Sequence, residues 1–310
     1  MAPEPRIVTL TLNPAIDMAS SAVAVQPIHK IRTFDEHVDP GGGGVNVARV
    51  IHALGGETLA LLLAGGVTGR FLAELLDEAG VPQRCLPIAG RTRVSTTVHD
   101  QGNGLEYRFV PEGPVVTEQE WQALLDALGT IDAAWVVGSG SLPRGVPDDF
   151  YARVARQCAQ RGQGFVLDSS GAPLRAALGQ GITLLKPSLN ELESLLGCVL
   201  RDPSVQDAQA MALVRDGAAR MVAVTLGAEG ALLATADGVW RLPALPGPVR
   251  STVGAGDAFL AAMVLALARG RAPPQALAWG IAAASVAVSG VGTARLSRAE
   301  VETLVPVAAR

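Results

Sequence analysis

Lysine is almost absent from this 310-residue chain. Of its 25 basic residues only Lys30 and Lys186 are lysine; arginine supplies the rest. Charged residues make up only 17%, and the net charge of −4 comes without a basic block, which argues against nucleic acid as a partner. Aromatics are scarce at 4%, yet apolar residues reach 49%, so this is a folded chain with an aliphatic core and not a disordered one. Three cysteines, Cys85, Cys158 and Cys198, are too few and too scattered for a disulfide frame or a zinc site, and point to the reducing cytoplasm. Long apolar runs are missing too. The longest, AFLAAMVLALA, is about eleven residues, too short to cross a bilayer, so no membrane association is expected. The start, MAPEPRIVTLTLNP, lacks the charged head and long apolar stretch of a targeting segment.

The familiar nucleotide and metal motifs are missing as well. Neither lysine follows a glycine and precedes Ser or Thr, so there is no Walker A loop. GGGGVN, GSGSLP and GAGDAF each fail at the last glycine of GxGxxG, which removes the dinucleotide fingerprint. There is no HExxH, and the histidines at 29, 37, 52 and 99 are scattered surface or core residues.

What is present is an alternation of strands and helices. RIVTLTL (6–12), TLALLLAGG (58–66), AAWVVGSG (133–140), GFVLDSS (164–170), ITLLKPS (182–188), RMVAVTLG (220–227) and GALLAT (230–235) read as strands. Helical patterns cover 44–55, 69–80, 148–162 and 190–197, and the last third is mostly helix. Continuous apolar strands alternating with helices predict an α/β fold with a mainly parallel sheet covered on both faces. Two segments, 18–38 and 91–110, alternate polar and apolar residues instead, and QGNG within the second suits a hairpin turn. They predict a small β-sheet projecting from a core made of 1–17, 39–90 and 111–310. An open small sheet buries its face best against a partner, so a homodimer through this element is expected. Sections 199–209 and 241–250, rich in Pro, Asp or Gly, read as surface connections.

Within this frame, RSTVGAGDAFLAAMVLALARG (250–270) places an acid at the mouth of an apolar helix. The first N–H groups of a helix lack partners and carry partial positive charge, and Gly254 and Gly256 let a ligand approach them closely. Gly254, Ala255 and Gly256 would then cradle a phosphoryl group, with Asp257 kept ionised beside them to accept a proton. Asp257 equally suits a helix cap. Asp17 follows the first strand and can accept from two sugar hydroxyls, or serve as a turn former after Pro14. Gly42 and Gly43, in the run Gly41–Gly44, make either a backbone-approach site or a flexible linker, with Asn46 on the helix that follows.

These stretches carry a resemblance. STVGAGDAF resembles the C-terminal signature of the ribokinase-like sugar kinases, the pfkB carbohydrate kinase family. TLTLNPAID (9–17), PGGGGVNVARVIHALG (40–55), GSGSLPRGV (138–146), VLDSSG (166–171), LLKPSLNEL (184–192) and VTLGAEGALL (224–233) match that family in order and spacing. The resemblance implies a three-layer α/β/α sandwich with a β-sheet lid. It makes Asp257 the base that deprotonates the sugar hydroxyl, and Gly254, Ala255 and Gly256 the phosphoryl cradle. Asp17, Gly42, Gly43 and Asn46 would bind the sugar.

In the phosphosugar branch, positions similar to Arg93, Lys30, Arg32 and Ser141 hold the substrate phosphate, the lysine reaching across from a partner subunit. Each of these residues also suits a solvated surface or turn position. PGGGGVNVAR lacks the GKG of fructose-1-phosphate and tagatose-6-phosphate kinases and, with YRFVPEGP, is closer to the minor, type 2 6-phosphofructokinases. TLNPAID is more like the fructose-1-phosphate branch. The implied reaction is ATP-dependent phosphorylation of fructose 6-phosphate on its C1 hydroxyl. A fructose-1-phosphate or tagatose-6-phosphate kinase, or a non-catalytic sugar-phosphate sensor, are the alternatives.

On the nucleotide side the resemblance gives Lys186, Thr225, Gly227 and Gly256 contacts to ATP. It gives Glu191 a magnesium ion through water. The family's asparagine in the NxxE element is here Ser188, shorter and without an amide. Glu191 alone also suits a solvated acid at a helix start. Ser251 and Val253, with 282–294, match a loop that binds a monovalent cation such as potassium and flanks the adenine, though small residues there equally suit close helix packing.

Overall fold

A computed structural model describes residues 4, 6–290 and 296–305. The chain begins with β1 (Ile7–Thr11), β2 (Ala15–Ala22), β3 (Thr33–Gly41), α1 (Gly43–Ala53), β4 (Thr58–Ala64), α2 (Gly66–Glu78) and β5 (Gln83–Pro87). It continues through β6 (Arg93–Asp100), β7 (Leu105–Phe109), α3 (Glu118–Thr130), β8 (Trp135–Ser139), α4 (Phe150–Gln160), β9 (Gly164–Asp168) and α5 (Gly171–Ala177). The last part holds β10 (Leu184–Leu185), α6 (Leu189–Leu196), α7 (Pro203–Arg215), β11 (Met221–Thr225), β12 (Ala231–Thr235) and β13 (Gly238–Leu242). Three helices close the described chain, α8 (Ala255–Ala268), α9 (Pro273–Ser289) and α10 (Arg298–Leu304).

Nine strands form one sheet in the order β13-β12-β11-β10-β9-β8-β1-β4-β5. Pairing is parallel from β11 to β5 and antiparallel at the β11–β12 and β12–β13 steps. Successive residues of a strand point to opposite faces, and the packing follows that rule. Val8 and Leu10, Phe165 and Leu167, and Val222 and Val224 pack with α3 to α7 on one face. Ile7, Val166 and Ala223 pack with α1, α8 and α9 on the other. The result is the expected three-layer α/β/α sandwich. Helix α8 is apolar all round because α1, α9 and the sheet surround it, burying every residue from Ala258 to Ala266.

The second sheet has four strands in the order β3-β2-β6-β7. Its β6–β7 hairpin turns through 101–104, where Gly104 takes φ 71°. Asp100 anchors that turn by accepting from the N–H of Gly102 and Val25 at 2.8 Å each. The strands reach past 18–38 and 91–110 toward the core: β2 starts at Ala15 and β3 ends at Gly41.

Three sequence readings need correction. The stretch 199–209 is not a bare connection but contains the start of α7, capped by Asp202, whose Oδ1 accepts from Ser204 N at 2.8 Å, with Pro203 in the first turn. Proline without an N–H belongs at a helix start as well as in a loop. The stretch 182–188 forms only the two-residue β10 before Pro187 breaks the ladder, with one further bridge between Ser188 and Thr225. Asp17 does not follow β1 as a loop residue; it lies within β2, paired with Asp39 on one side and Ser95 on the other.

Candidate active site

Gly254 takes φ 78°, a left-handed turn open to glycine, and stands as the N-cap of α8. Ala255, Gly256 and Asp257 are therefore the first three helical residues, so Asp257 is not the cap. Its side chain turns to another element: Asn46, in the first turn of α1, donates from Nδ2 to Asp257 Oδ2 at 2.8 Å. Burial and the neighbouring Asp168 push the Asp257 carboxyl up to about 7, against the opposing pull of Asn46 and Lys186. The expectation of a firmly ionised acid is thus wrong. Withdrawal from water outweighs the helix dipole, and the group sits at the pKa where a general base works near neutral pH.

The glycine run has a steric cause. A Cβ at Gly41 would collide with the Asp17 carboxylate, at Gly43 with Ser139 Oγ, and at Gly44 with the carbonyl of Leu10 and Thr11 Oγ1. Gly42 takes φ 111°. These residues bring α1 onto the carboxyl end of β1, the edge where ligands of parallel sheets gather, with Asp17 against the loop. Burial raises the Asp17 carboxyl, and Arg93, two residues before its strand partner Ser95, opposes that rise.

Behind Gly256 lies a buried ion pair that the sequence reading did not single out. Lys186 Nζ stands 3.1 Å from Asp168 Oδ1, their side chains 5% and 15% exposed. Burial pulls the lysine down, but Asp168 and the nearby acids more than offset it, so the ammonium holds its proton above the usual range. Ser139 donates to Asp168 Oδ2 at 3.5 Å. A Cβ at Gly256 would lie 3.7 Å from Nζ, so the lysine faces the bare helix mouth. Asp168 ends β9 in the VLDSSG stretch, and its place at a strand's carboxyl end was the available signal.

Ser188 and Glu191 hold each other. Ser188 caps α6, and its N–H and Oγ donate to Glu191 Oε2 at 2.7 and 2.8 Å while Glu191 N donates back to Ser188 Oγ at 3.3 Å. This is a reciprocal capping box, in which S-x-x-E replaces N-x-x-E. As to a metal, no cluster of three carboxylate, His or Cys donors gathers among the described residues. Glu191 still lies near enough to Asp168 to raise it, and an ion that keeps its waters and rests on nucleotide phosphates needs only one or two carboxylates. The residues fit magnesium on those terms.

Thr225, Gly227, Ser188 and Gly256 line one cavity of about 1090 Å³ that runs from the mouth of α8. Its wall includes Ala244–Val249, so 241–250 is β13 followed by a cleft wall and not a plain surface connection. Arg93, at the start of β6, donates to the carbonyls of Asn13 and Pro111 at 2.8 and 2.9 Å. Ser141 is exposed within 3.5 Å of Asn13 Nδ2. Lys30 and Arg32 are exposed on the β2–β3 connection. Ser251 Oγ accepts from Val253 N at 3.2 Å. The remainder of that expected cation loop, 291–294, lies outside the described residues.

The profile of the pfkB family carbohydrate kinases matches residues 10–299. The chain belongs to this family. Among pfkB relatives, ATP-dependent 6-phosphofructokinase isozyme 2 of Mycobacterium tuberculosis is 44% identical over 308 residues, covering 99% of this chain and 91% of that protein. The crystal structure of phosphofructokinase-2 from Escherichia coli in complex with potassium superposes with a TM-score of 0.93 at 36% identity, covering 97% and 98% of the two chains. The same enzyme in complex with fructose-6-phosphate gives 0.91 at 35%, with the same coverage. The architecture is therefore the ribokinase-like one, and the chain is a sugar-phosphate kinase of the pfkB family.

Proposed function

We propose that the protein transfers the γ-phosphoryl group of ATP to the C1 hydroxyl of fructose 6-phosphate, giving fructose 1,6-bisphosphate and ADP. The observation that carries this reading is the position of Asp257. Asp257, in the first turn of α8, is held by Asn46 and follows directly on Gly256, which lines the cavity together with Thr225 and Gly227. ATP occupies that cavity, Thr225 and Gly227 contacting it, and the acceptor lies under the small sheet against Asp17 and Asn46. Asp257 takes the proton of the C1 hydroxyl as that oxygen bonds to the γ-phosphorus. The bond from the γ-phosphorus to the bridging oxygen breaks, and its electron pair leaves with ADP. The peptide N–H groups around Gly254, Ala255 and Gly256 face the moving phosphoryl group, and Lys186 adds a fixed positive charge beside them. Glu191 would hold magnesium through water, and the ion would add charge neutralisation at the phosphates; Ser251 and Val253 would belong to a potassium-binding loop.

At the far end, Arg93 and Ser141 meet the acceptor's own phosphate, and Lys30 and Arg32 reach it from a second subunit. Val38, Met18, Thr96 and Phe109 align in one row across the small sheet, and Met18, Val38 and Phe109 are 38%, 37% and 60% exposed. An apolar row of this kind supports a homodimer through the small sheet. Val38→Asp is then expected to yield a monomer by sedimentation, with a raised KM for the sugar phosphate. The free cysteines and the substrates suit the cytoplasm.

The deciding experiment measures ADP release with fructose 6-phosphate, fructose 1-phosphate and tagatose 6-phosphate in parallel. The highest kcat/KM is expected with fructose 6-phosphate. Preference for either other sugar overturns the substrate, and no ADP with any of the three turns the reading to a sugar-phosphate sensor.

A further inference from the structure

Asn13 is 4% exposed, in the loop between β1 and β2, and three bonds meet on it. Its Nδ2 donates to the carbonyl of Glu112 at 2.8 Å, which fixes the orientation of the amide because a carbonyl only accepts. The same Nδ2 lies 3.5 Å from Ser141 Oγ. Its main-chain oxygen accepts from Arg93 Nη2 at 2.8 Å, and Arg93 Nη1 reaches Pro111 O at 2.9 Å. One residue thus joins the arginine from β6, the serine after β8 and the 111–113 segment. The segment is held again by an ion pair of Glu112 with Arg144 at 3.4 Å, and the chain just beyond it by Val116 N donating to Arg144 O at 2.8 Å.

The local backbone is shaped around this amide. Gly113 takes φ 96°, and a Cβ there would collide with Asn13 Oδ1. Oδ1 itself is buried and without a hydrogen-bond partner, as are Arg93 Nε and Asn46 Oδ1. A buried polar group left unpaired costs about 1–3 kcal/mol and calls for an explanation; of the three, Arg93 Nε is the donor that an anionic phosphate satisfies, whereas the two amide oxygens accept only. Three of the six orphan atoms among the described residues belong to this one cleft. Of the two acids near the cluster, Glu112 turns its carboxylate to Arg144 and its carbonyl to Asn13, while Asp17 interacts with Arg93.

We propose that Asn13 is the positioning residue of the acceptor-phosphate subsite. Its side-chain amide holds Ser141 and the 111–113 segment, whose Pro111 carbonyl accepts from Arg93, and so sets the spacing of Arg93 and Ser141 and the preference for a phosphorylated over an unphosphorylated sugar. This rests on reading the cleft as that of a sugar-phosphate kinase. Asn13 itself does not reach the reacting C1 oxygen; it acts through its two neighbours.

The test compares wild type, Asn13→Ala and Asn13→Asp by ADP release, with fructose and with whichever of the three hexose phosphates the wild type uses best. Melting temperatures are measured alongside. Both variants are expected to raise KM for the hexose phosphate tenfold or more, Asp more than Ala because its charge repels the phosphate. The kcat, the KM for ATP and the KM for fructose are expected to stay within twofold. Asn13→Ala combined with Ser141→Ala is expected to cost less than the two single changes multiplied, since both act on one subsite. Parallel KM increases for both sugars, or an unchanged KM for the hexose phosphate, overturn the role of Asn13 while leaving the kinase reading intact. A wild type that phosphorylates none of the three hexose phosphates overturns both. If Asn13→Asp does not fold, Asn13→Ala and the double variant decide.

Discussion

Asn46 and Asp257, 211 positions apart, are joined by one hydrogen bond of 2.8 Å from an amide to a carboxylate. It runs between the first turns of α1 and α8, two helices packed on the same face of the sheet. The bond favours the charged form of an acid that burial otherwise drives toward neutrality, so it sets how much base is available at neutral pH.

The pH profile follows. With the Asp257 carboxyl at about 7, kcat/KM rises with pH along a one-proton limb centred near that value. Asn46→Ala removes a donor to the ionised form, and the limb moves to higher pH by about one unit, the equivalent of a charged hydrogen bond worth ~1.5 kcal/mol. Steady-state profiles of both proteins check this; a limb that stays in place in the variant refutes the coupling.

Asp257→Asn folds and loses turnover by a factor on the order of 10²–10⁴, the usual weight of general-base catalysis. Its stability moves the other way. The folded acid holds its proton to about 7 and the unfolded one only to 3.8, so the folded state binds more protons between those values and wild type loses stability as pH rises through them. At 1.36 kcal/mol per unit the ionised acid costs about 4 kcal/mol above neutrality. Melting curves are therefore expected to show Asn above wild type at alkaline pH, with the gap closing toward pH 4. A pH-independent difference would count against the shifted acid.

Lys186 and Asp168 form a pair that neither partner survives alone. Lys186→Met leaves a buried carboxylate without its cation, a loss of about 3–5 kcal/mol by chemical denaturation. Joining it with Asp168→Leu recovers most of that stability and none of the activity, because the charge facing Gly256 is gone. Recovery of turnover in the double variant would remove Lys186 from the phosphoryl site.

Ser188→Ala breaks the capping box at the start of α6 and costs about 1 kcal/mol. Ser188→Asn keeps a good cap and restores the amide of the NxxE pattern. The concentration of magnesium for half-maximal activity, at fixed ATP, is expected to fall several-fold in the Asn variant. An equal or higher requirement contradicts the reading of Ser188 as the weaker partner.

Strand and helix periodicity, glycine turns and family motifs made the sandwich, the small sheet and residues such as Asp257, Asn46 and Lys186 legible in one dimension. Less local features were not. Asp168 reads as one more acid after a strand until β9 and β10 lie side by side and place it against Lys186. Asn13 is one more residue of TLTLNPAID until the 111–113 segment folds over it. Proline and aspartate in 199–209 suited a loop and a helix start equally, and only the hydrogen bond of Asp202 separates the two.

The sequence by itself determined which elements form and which chemical groups stand at their ends, because periodicity, capping and backbone freedom act over a few neighbouring residues. Only the tertiary structure decided the ionisation of Asp257, the burial of the Lys186–Asp168 pair and the orphan acceptor on Asn13. Desolvation and Coulomb energies depend on what surrounds a group in space, and those surroundings come from segments that are remote along the chain.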